Sequence, residues 1–351
     1  MPWKPEFPGE RPTLGPHVVE WIEAHLASPD GRDGLIRLTR EQIDFTLRFY
    51  ELDPETCTRR RRRAVLSRAQ GWGRSPVLAA LAVAEAFADV VPDGWDAEGR
   101  PVGRPWASER RVWIQLLAVS ESQTMNSWRA LQDMILEGPL VSTRGVDVLE
   151  TFVSLPNRGR IEYTTASAVS KEGNRPVFAC LDQTESWTKQ NRGLALAAAV
   201  RRNLAKTGGT SIESPNSYRP GSGSVSEESA MYAKEIELGQ TVDDGLLWDH
   251  REAPETVQLE AGVTDEELIE GLRYAYGDSS ADPRGCVLHD PPCPPGWVDL
   301  RRIVREIRDL ATEPEDAGQF YLNRATTPPG SFISAEMLDR ATIGYEKETQ
   351  P

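Results

Sequence analysis

One stretch limits the possible folds of this chain more than any other: Ala64-Val65-Leu66-Ser67-Arg68-Ala69-Gln70-Gly71-Trp72-Gly73-Arg74-Ser75-Pro76. An apolar strand that runs into a glycine turn, a cation and a hydroxyl is suited to cradling phosphates. In the standard loop, G-x-x-x-x-G-K-[ST], backbone N–H groups at a helix N-terminus surround the anion, lysine reaches its outer oxygens and the hydroxyl holds Mg²⁺. Here Arg68 stands at the first glycine and Arg74 at the lysine, so the loop is a deviant one. Its candidate contacts are Gln70, Gly71, Trp72, Gly73, Arg74 and Ser75, with Ser75 a metal ligand.

Downstream, Pro176-Val177-Phe178-Ala179-Cys180-Leu181-Asp182 is an apolar run ending in a carboxylate, followed by Gln183, Thr184 and Glu185. Taken alone it also describes a plain buried strand with a helix-capping aspartate. After a phosphate-type loop it has the form of a Walker B strand, whose aspartate holds the metal while a nearby glutamate orients the attacking water. Asp182 fits the first role. Gln183 occupies the expected glutamate position, which leaves Glu185 or Gln183 as the group that handles the water.

A third segment, Thr207-Gly208-Gly209-Thr210-Ser211-Ile212-Glu213-Ser214-Pro215-Asn216-Ser217-Tyr218-Arg219-Pro220-Gly221, is followed by Ser224-Val225-Ser226-Glu227. It resembles the coupling region of the large terminase subunits of tailed double-stranded DNA bacteriophages. Gly159 to Ser167, Asp182 to Trp187 and Leu247 to Pro254 resemble the same family, so the likeness spans roughly residues 40 to 325. It implies an α/β fold of the P-loop NTPase (ASCE/RecA-like) class, a mainly parallel sheet with helices on both faces. It also implies an ATPase motor domain that uses ATP and Mg²⁺ to drive viral DNA into a procapsid. Partners implied are double-stranded DNA, the small terminase subunit, the portal protein and further copies in a ring on the portal, in the cytoplasm of an infected host cell. By the same likeness Thr210 and Ser211 sense the γ-phosphate, and Gln42, at the start of a helix capped by Thr39, reads adenine. Arg68 is the candidate transition-state arginine in cis, and Arg158 and Arg160 are candidates in trans.

Two departures from the family pattern, Arg74 and Gln183, touch groups that handle the γ-phosphate. Arginine keeps the charge but replaces a compact ammonium with a rigid planar fork. Two other readings therefore stand beside the motor: a nucleotide-binding assembly module with little or no hydrolysis, and a helicase-like ATPase. The helicase reading needs a second RecA-like lobe that the last hundred or so residues do not resemble.

The chain has 351 residues, enough for one large α/β core with a small satellite. Its apolar stretches are too short and interrupted to span a bilayer. Cys57, Cys180, Cys286 and Cys293 are scattered, in keeping with a reducing compartment. Cys286, His289 and Cys293 lie close in sequence, but their spacing matches no common zinc module and a fourth ligand is missing, so no structural metal is expected. A net charge of −14 argues against a DNA-binding surface, unless local clusters such as Arg59 to Arg63, or Arg201, Arg202 and Lys206, act within a ring. The run at 59–63 reads equally as a solvated lead-in to the strand.

Four segments are expected: an irregular N-terminal arm (1–37) with one short helix, an ATPase core (38–250), a small helical extension (251–325) and a linker (326–351) toward an absent nuclease domain.

Overall fold

The computed structural model describes residues 3–29, 34–165, 175–259 and 262–326. The expected linker at 326–351 and the end of the segment at 159–167 lie almost wholly, or partly, outside these residues. The fold centres on an eight-stranded sheet. Its strands are β1 (Arg63–Ser67), β4 (Trp113–Ala118), β5 (Asp147–Val148), β6 (Phe152–Leu155), β7 (Gly159–Thr165), β8 (Phe178–Asp182), β9 (Thr210–Ser214) and β10 (Leu246–His250). They lie in the order β10-β1-β9-β8-β4-β7-β6-β5. The six from β10 to β7 run parallel, while β6 pairs antiparallel with β7 and with β5. A separate antiparallel hairpin, β2 (Val91–Trp95) with β3 (Pro101–Arg104), had no clear sequence signal.

The central strands β1, β8 and β9 are buried along their whole length, as strands between two helical layers are. Alternate residues serve opposite layers. Phe178 and Cys180 of β8 pack into a core shared with α1 (Gly15–His25), α2 (Arg40–Phe49), α3 (Arg74–Phe87) and α4 (Glu121–Leu136). Ala179 and Leu181 pack into a second core with α6 (Gly193–Ala205) and Val225 of α7 (Val225–Glu237). The short α5 (Leu140–Arg144) follows α4. A third core belongs to the extension, built on α8 (Asp265–Tyr276) and α9 (Leu300–Ile307), with α10 (Pro314–Phe320) leading to the buried Leu322.

The N-terminal arm carries the one short helix expected of it, packed into the first core. Val18, Ile22 and Leu26 are fully buried in the first core, and a Cβ on Gly15 would lie 2.6 Å from the Leu47 backbone, so α1 sits tightly on α2. The apolar residues at 18, 22 and 26 have the four-residue spacing of one helix face, so the expected short helix is found, two residues earlier than the 17–27 read from sequence.

The basic run at 59–63 is consumed internally. Arg59 pairs with Glu85, Arg60 and Arg61 with Glu51, Arg62 with Asp244, and Arg63 with the buried Glu213, which Arg201 also meets at 2.9 Å. Arg59, Arg61 and Arg63 are thereby largely withdrawn from solvent, while Arg60 and Arg62 stay exposed beside their partners. Glu85, fully buried on the alanine-rich α3, accepts hydrogen bonds from Tyr50 Oη and Trp106 Nε1, each at 2.9 Å, and from Arg59. The Arg59 guanidinium lies over the Tyr50 ring, 4.2 Å from its centroid. Removing one partner of such a pair strands the other in a low dielectric. Glu85→Ala is therefore expected to cost about 3–5 kcal/mol of stability in a urea titration followed by circular dichroism. A loss below about 1 kcal/mol would mean that water solvates Arg59 once its partner is gone.

Candidate functional site

The loop between β1 and α3 turns on two glycines with positive φ, Gly71 (+89°) and Gly73 (+100°). Gly73 is the N-cap of α3, so the N–H groups of Arg74 and Ser75 lie in the first helical turn, where no intrahelical acceptor exists and anions are favoured. The rest of the loop is anchored. Gln70 N–H donates to Phe320 O at 2.7 Å, and Gln70 O accepts from Tyr276 Oη at 2.8 Å. Gln70 therefore ties the loop to the extension through its backbone rather than offering its N–H to a ligand. Trp72 is buried beneath the loop as a core residue.

Parallel register carries the remaining polar groups to the same edge. Asp182 ends β8 directly opposite Ser214 at the end of β9, and β9 lies between β8 and β1. Asp182 is buried and accepts a hydrogen bond from Ser127 of α4. Burial pushes its carboxyl upward, against the opposing pull of Ser127 and Arg74. Arg74 donates from Nη1 to Ser214 O at 3.1 Å and from Nη2 to Asn216 Oδ1 at 2.8 Å. Asn216 in turn donates to Arg68 O at 2.9 Å.

Glu185 lies in the short 3₁₀ turn after β8, with a fully buried Oε2 that has no hydrogen-bond partner. Burial raises its pKa to about 7, although Arg74 pulls the other way. A carboxyl with that poise is half-ionised at neutral pH, where a general base works best.

A cavity of about 660 Å³ opens at this edge. Gln70, Gly71, Gly73, Arg74, Ser75 and Gln183 line it with Gln42 from α2. Gln42 stands third in a capping box: its Oε1 accepts from Thr39 N–H at 3.0 Å, which leaves the amide NH₂ to face the cavity. Trp297 closes one side. Its Nε1 donates to Gly71 O at 3.0 Å, and a Cβ on Gly73 would lie 2.8 Å from its ring.

Two expectations change. Arg68 does not face the cavity: it is buried, bonded through Nη2 to Asp249 Oδ1 at 2.6 Å and through Nη1 to the Ser67 and Asp249 carbonyls. It fastens β1 to β10, and a transition-state role would require breaking that pair. The arginines that do line the cavity beside Arg74 are Arg37 and Arg129. Thr210 and Ser211 begin β9 rather than end it, opposite Phe178 and Ala179, about 10–13 Å from the phosphate edge at ~3.3 Å per residue. Ser214 and Asn216 occupy the position expected of them. Arg158 is exposed and Arg160 is the second residue of β7, at the strand ends away from the cavity, where it pairs with Glu162 and lies over the Trp113 ring; a role in trans would place them at a neighbouring copy's cavity, not this one.

Ser127, Asn216 and Trp297 had not been singled out as site residues. The motif spacing that exposes a phosphate loop is silent about a serine on a neighbouring helix or a tryptophan in a proline-rich loop.

Because the folded-state pKa of Glu185 lies above its unfolded value, folding favours the protonated form, and stability is lost as pH rises through about 7. Glu185→Gln is expected to raise the melting temperature at pH 8 and to leave it nearly unchanged at pH 4, as read by differential scanning fluorimetry. An equal effect at both pH values would contradict the raised pKa. Gly73→Ala places a Cβ against Trp297 at a positive φ, so the melting temperature is expected to fall by several degrees in differential scanning fluorimetry. A melting temperature within a degree of the parent would mean that Trp297 yields.

No protein-family model matches the chain. It is 28% identical to the Gene 13 protein of Mycobacterium phage L5 over 98% of its own length and 27% identical to that of Mycobacterium phage D29 over 97%. It spans 62% and 60% of those proteins. Among solved structures, the HK97 bacteriophage large terminase superposes with a TM-score of 0.63 at 16% identity, over 93% of this chain and 58% of that one. Strand order, helical layers and extension together make this the fold of a bacteriophage large terminase.

Proposed function

We propose that the chain is the ATPase part of a phage DNA-packaging motor. The observation that carries this reading is the convergence of Asp182, Glu185 and Arg74 on the loop that starts α3, at the carboxyl ends of parallel strands where ligands of such sheets bind. The Asp182 carboxylate and Ser75 hydroxyl are hard oxygen donors of the kind Mg²⁺ takes, so they fit that ion. Mg²⁺ held there would neutralise charge on the phosphate oxygens.

The protein's own groups supply the rest. The N–H groups at the start of α3 bind phosphate oxygens, and Arg74 adds positive charge beside them. Glu185 takes the proton from the attacking water, with Gln183 at the cavity wall positioned to orient it. The Gln42 amide donates to the base, and Trp297 supplies an apolar wall. Arg74 joins the loop to Ser214 and Asn216, so a change at the phosphates reaches the segment after β9. Double-stranded DNA, a ring of copies on the portal and a small terminase subunit complete the proposal.

One observation favours an assembly module without turnover: both Nη atoms of Arg74 are already bonded to the protein. Steady-state Mg²⁺-dependent ATP hydrolysis with parallel ATP calorimetry separates the readings. On the motor reading, kcat rises with pH through about 7. Glu185→Gln lowers kcat by about a hundred- to ten-thousand-fold with binding retained. Arg74→Lys lowers it too, because one ammonium cannot span Ser214 and Asn216. Binding without turnover at any pH supports the module, and absence of ATP binding sinks both.

A further inference from the structure

The three close-set residues Cys286, His289 and Cys293 lacked a fourth partner in sequence, and the fold supplies it. Asp278, in the turn that ends α8, stands with them so that one ligand atom from each lies within 4.8 Å of the others. We propose that Asp278, Cys286, His289 and Cys293 form a structural zinc site, independent of any nucleotide chemistry. Two thiolates, an imidazole and a carboxylate are a borderline-soft donor set suited to tetrahedral Zn²⁺, with bonds of about 2.0–2.3 Å.

The polar atoms behave as ligands in waiting. The Asp278 side chain is 1% exposed, and its Oδ1 lies 3.2 Å from His289 Nε2. Both atoms are buried, yet neither makes a hydrogen bond of acceptable geometry. Two polar atoms that face the same space without bonding each other carry an unmet cost of burial, which a shared cation removes. Asp278 Oδ2 is held in turn by the Glu41 N–H at 3.0 Å, the outer-shell support typical of ligating carboxylates. Gly277 allows the approach: with φ at +50°, a Cβ there would collide with Glu41, Leu288 and Arg251. The loop that carries the other three ligands is braced by Arg273, which donates to Gly285 O at 2.9 Å.

On binding, Zn²⁺ replaces the two thiol protons, which leave to solvent, so the net charge of the site is unchanged. The ion would clip the proline-rich loop to α8 and, through Glu41, to α2. Both Gln42 and Trp297, on either side of the cavity, are adjacent to that clip.

The test is metal content of the full chain, purified without a histidine tag, by inductively coupled plasma mass spectrometry. One zinc per chain is expected, falling to none in the Cys286→Ser/Cys293→Ser variant and unchanged in Cys57→Ser. Co²⁺ exchanged into the unaltered chain should give thiolate charge-transfer and tetrahedral d–d absorption, a readout that needs no variant to fold. Absence of zinc after reconstitution with ZnCl₂, equal zinc in the double variant, or an octahedral Co²⁺ spectrum without thiolate bands would each overturn the proposal. ATP hydrolysis does not enter the readout, so failure of the ATPase reading leaves this result intact.

Discussion

One guanidinium sets the geometry of the phosphate edge. Arg74 begins α3 and bonds the last carbonyl of β9 and the Asn216 amide beyond it. Without that link the loop and the strand ends would be three independent termini. With it, the positive charge is held in place between Asp182 and Glu185, and burial of the arginine is offset by both carboxylates. A lysine could supply the charge but not the two-point attachment, which gives the unusual residue at this position a physical reason.

The sheet was readable where buried strands have apolar interiors, as β1, β4 and β8 do, and not at β9, which is equally buried but polar at four of its five residues. The phosphate loop was readable because only glycine takes the backbone of Gly71 and Gly73 at no steric cost. The register of β9 was not. Its residues Thr-Ser-Ile-Glu-Ser put hydroxyls at both ends, so sequence offered two candidate edges, and pairing of Asp182 with Ser214 decided between them. Arg68 misled for a related reason. A cation in a phosphate loop reads as a ligand group, and only the long-range partner Asp249, distant in sequence, reveals it as a buried tie. Asp278 was hidden in the same way, since a fourth ligand on another element has no fixed spacing.

Charge followed this pattern throughout. An acidic chain with an unbroken run of five arginines suggests a patch aimed at a polyanion. Each of those arginines instead meets a carboxylate of its own chain, and Glu51 and Glu213 each serve more than one. The run works as mortar between α2, α3, β9 and the turn before β10.

The double anchorage of Gln70 has a mechanical meaning. Its N–H is held by the end of α10 and its carbonyl by the end of α8, while the two residues after it form the turn at the cavity. The extension thus grips the loop on both sides of Gln70, with Trp297 holding the next carbonyl, like a hand on a lever near its fulcrum. Any displacement of the extension is thereby transmitted to the backbone at the cavity mouth and, through Asn323, to Ser67 at the end of β1.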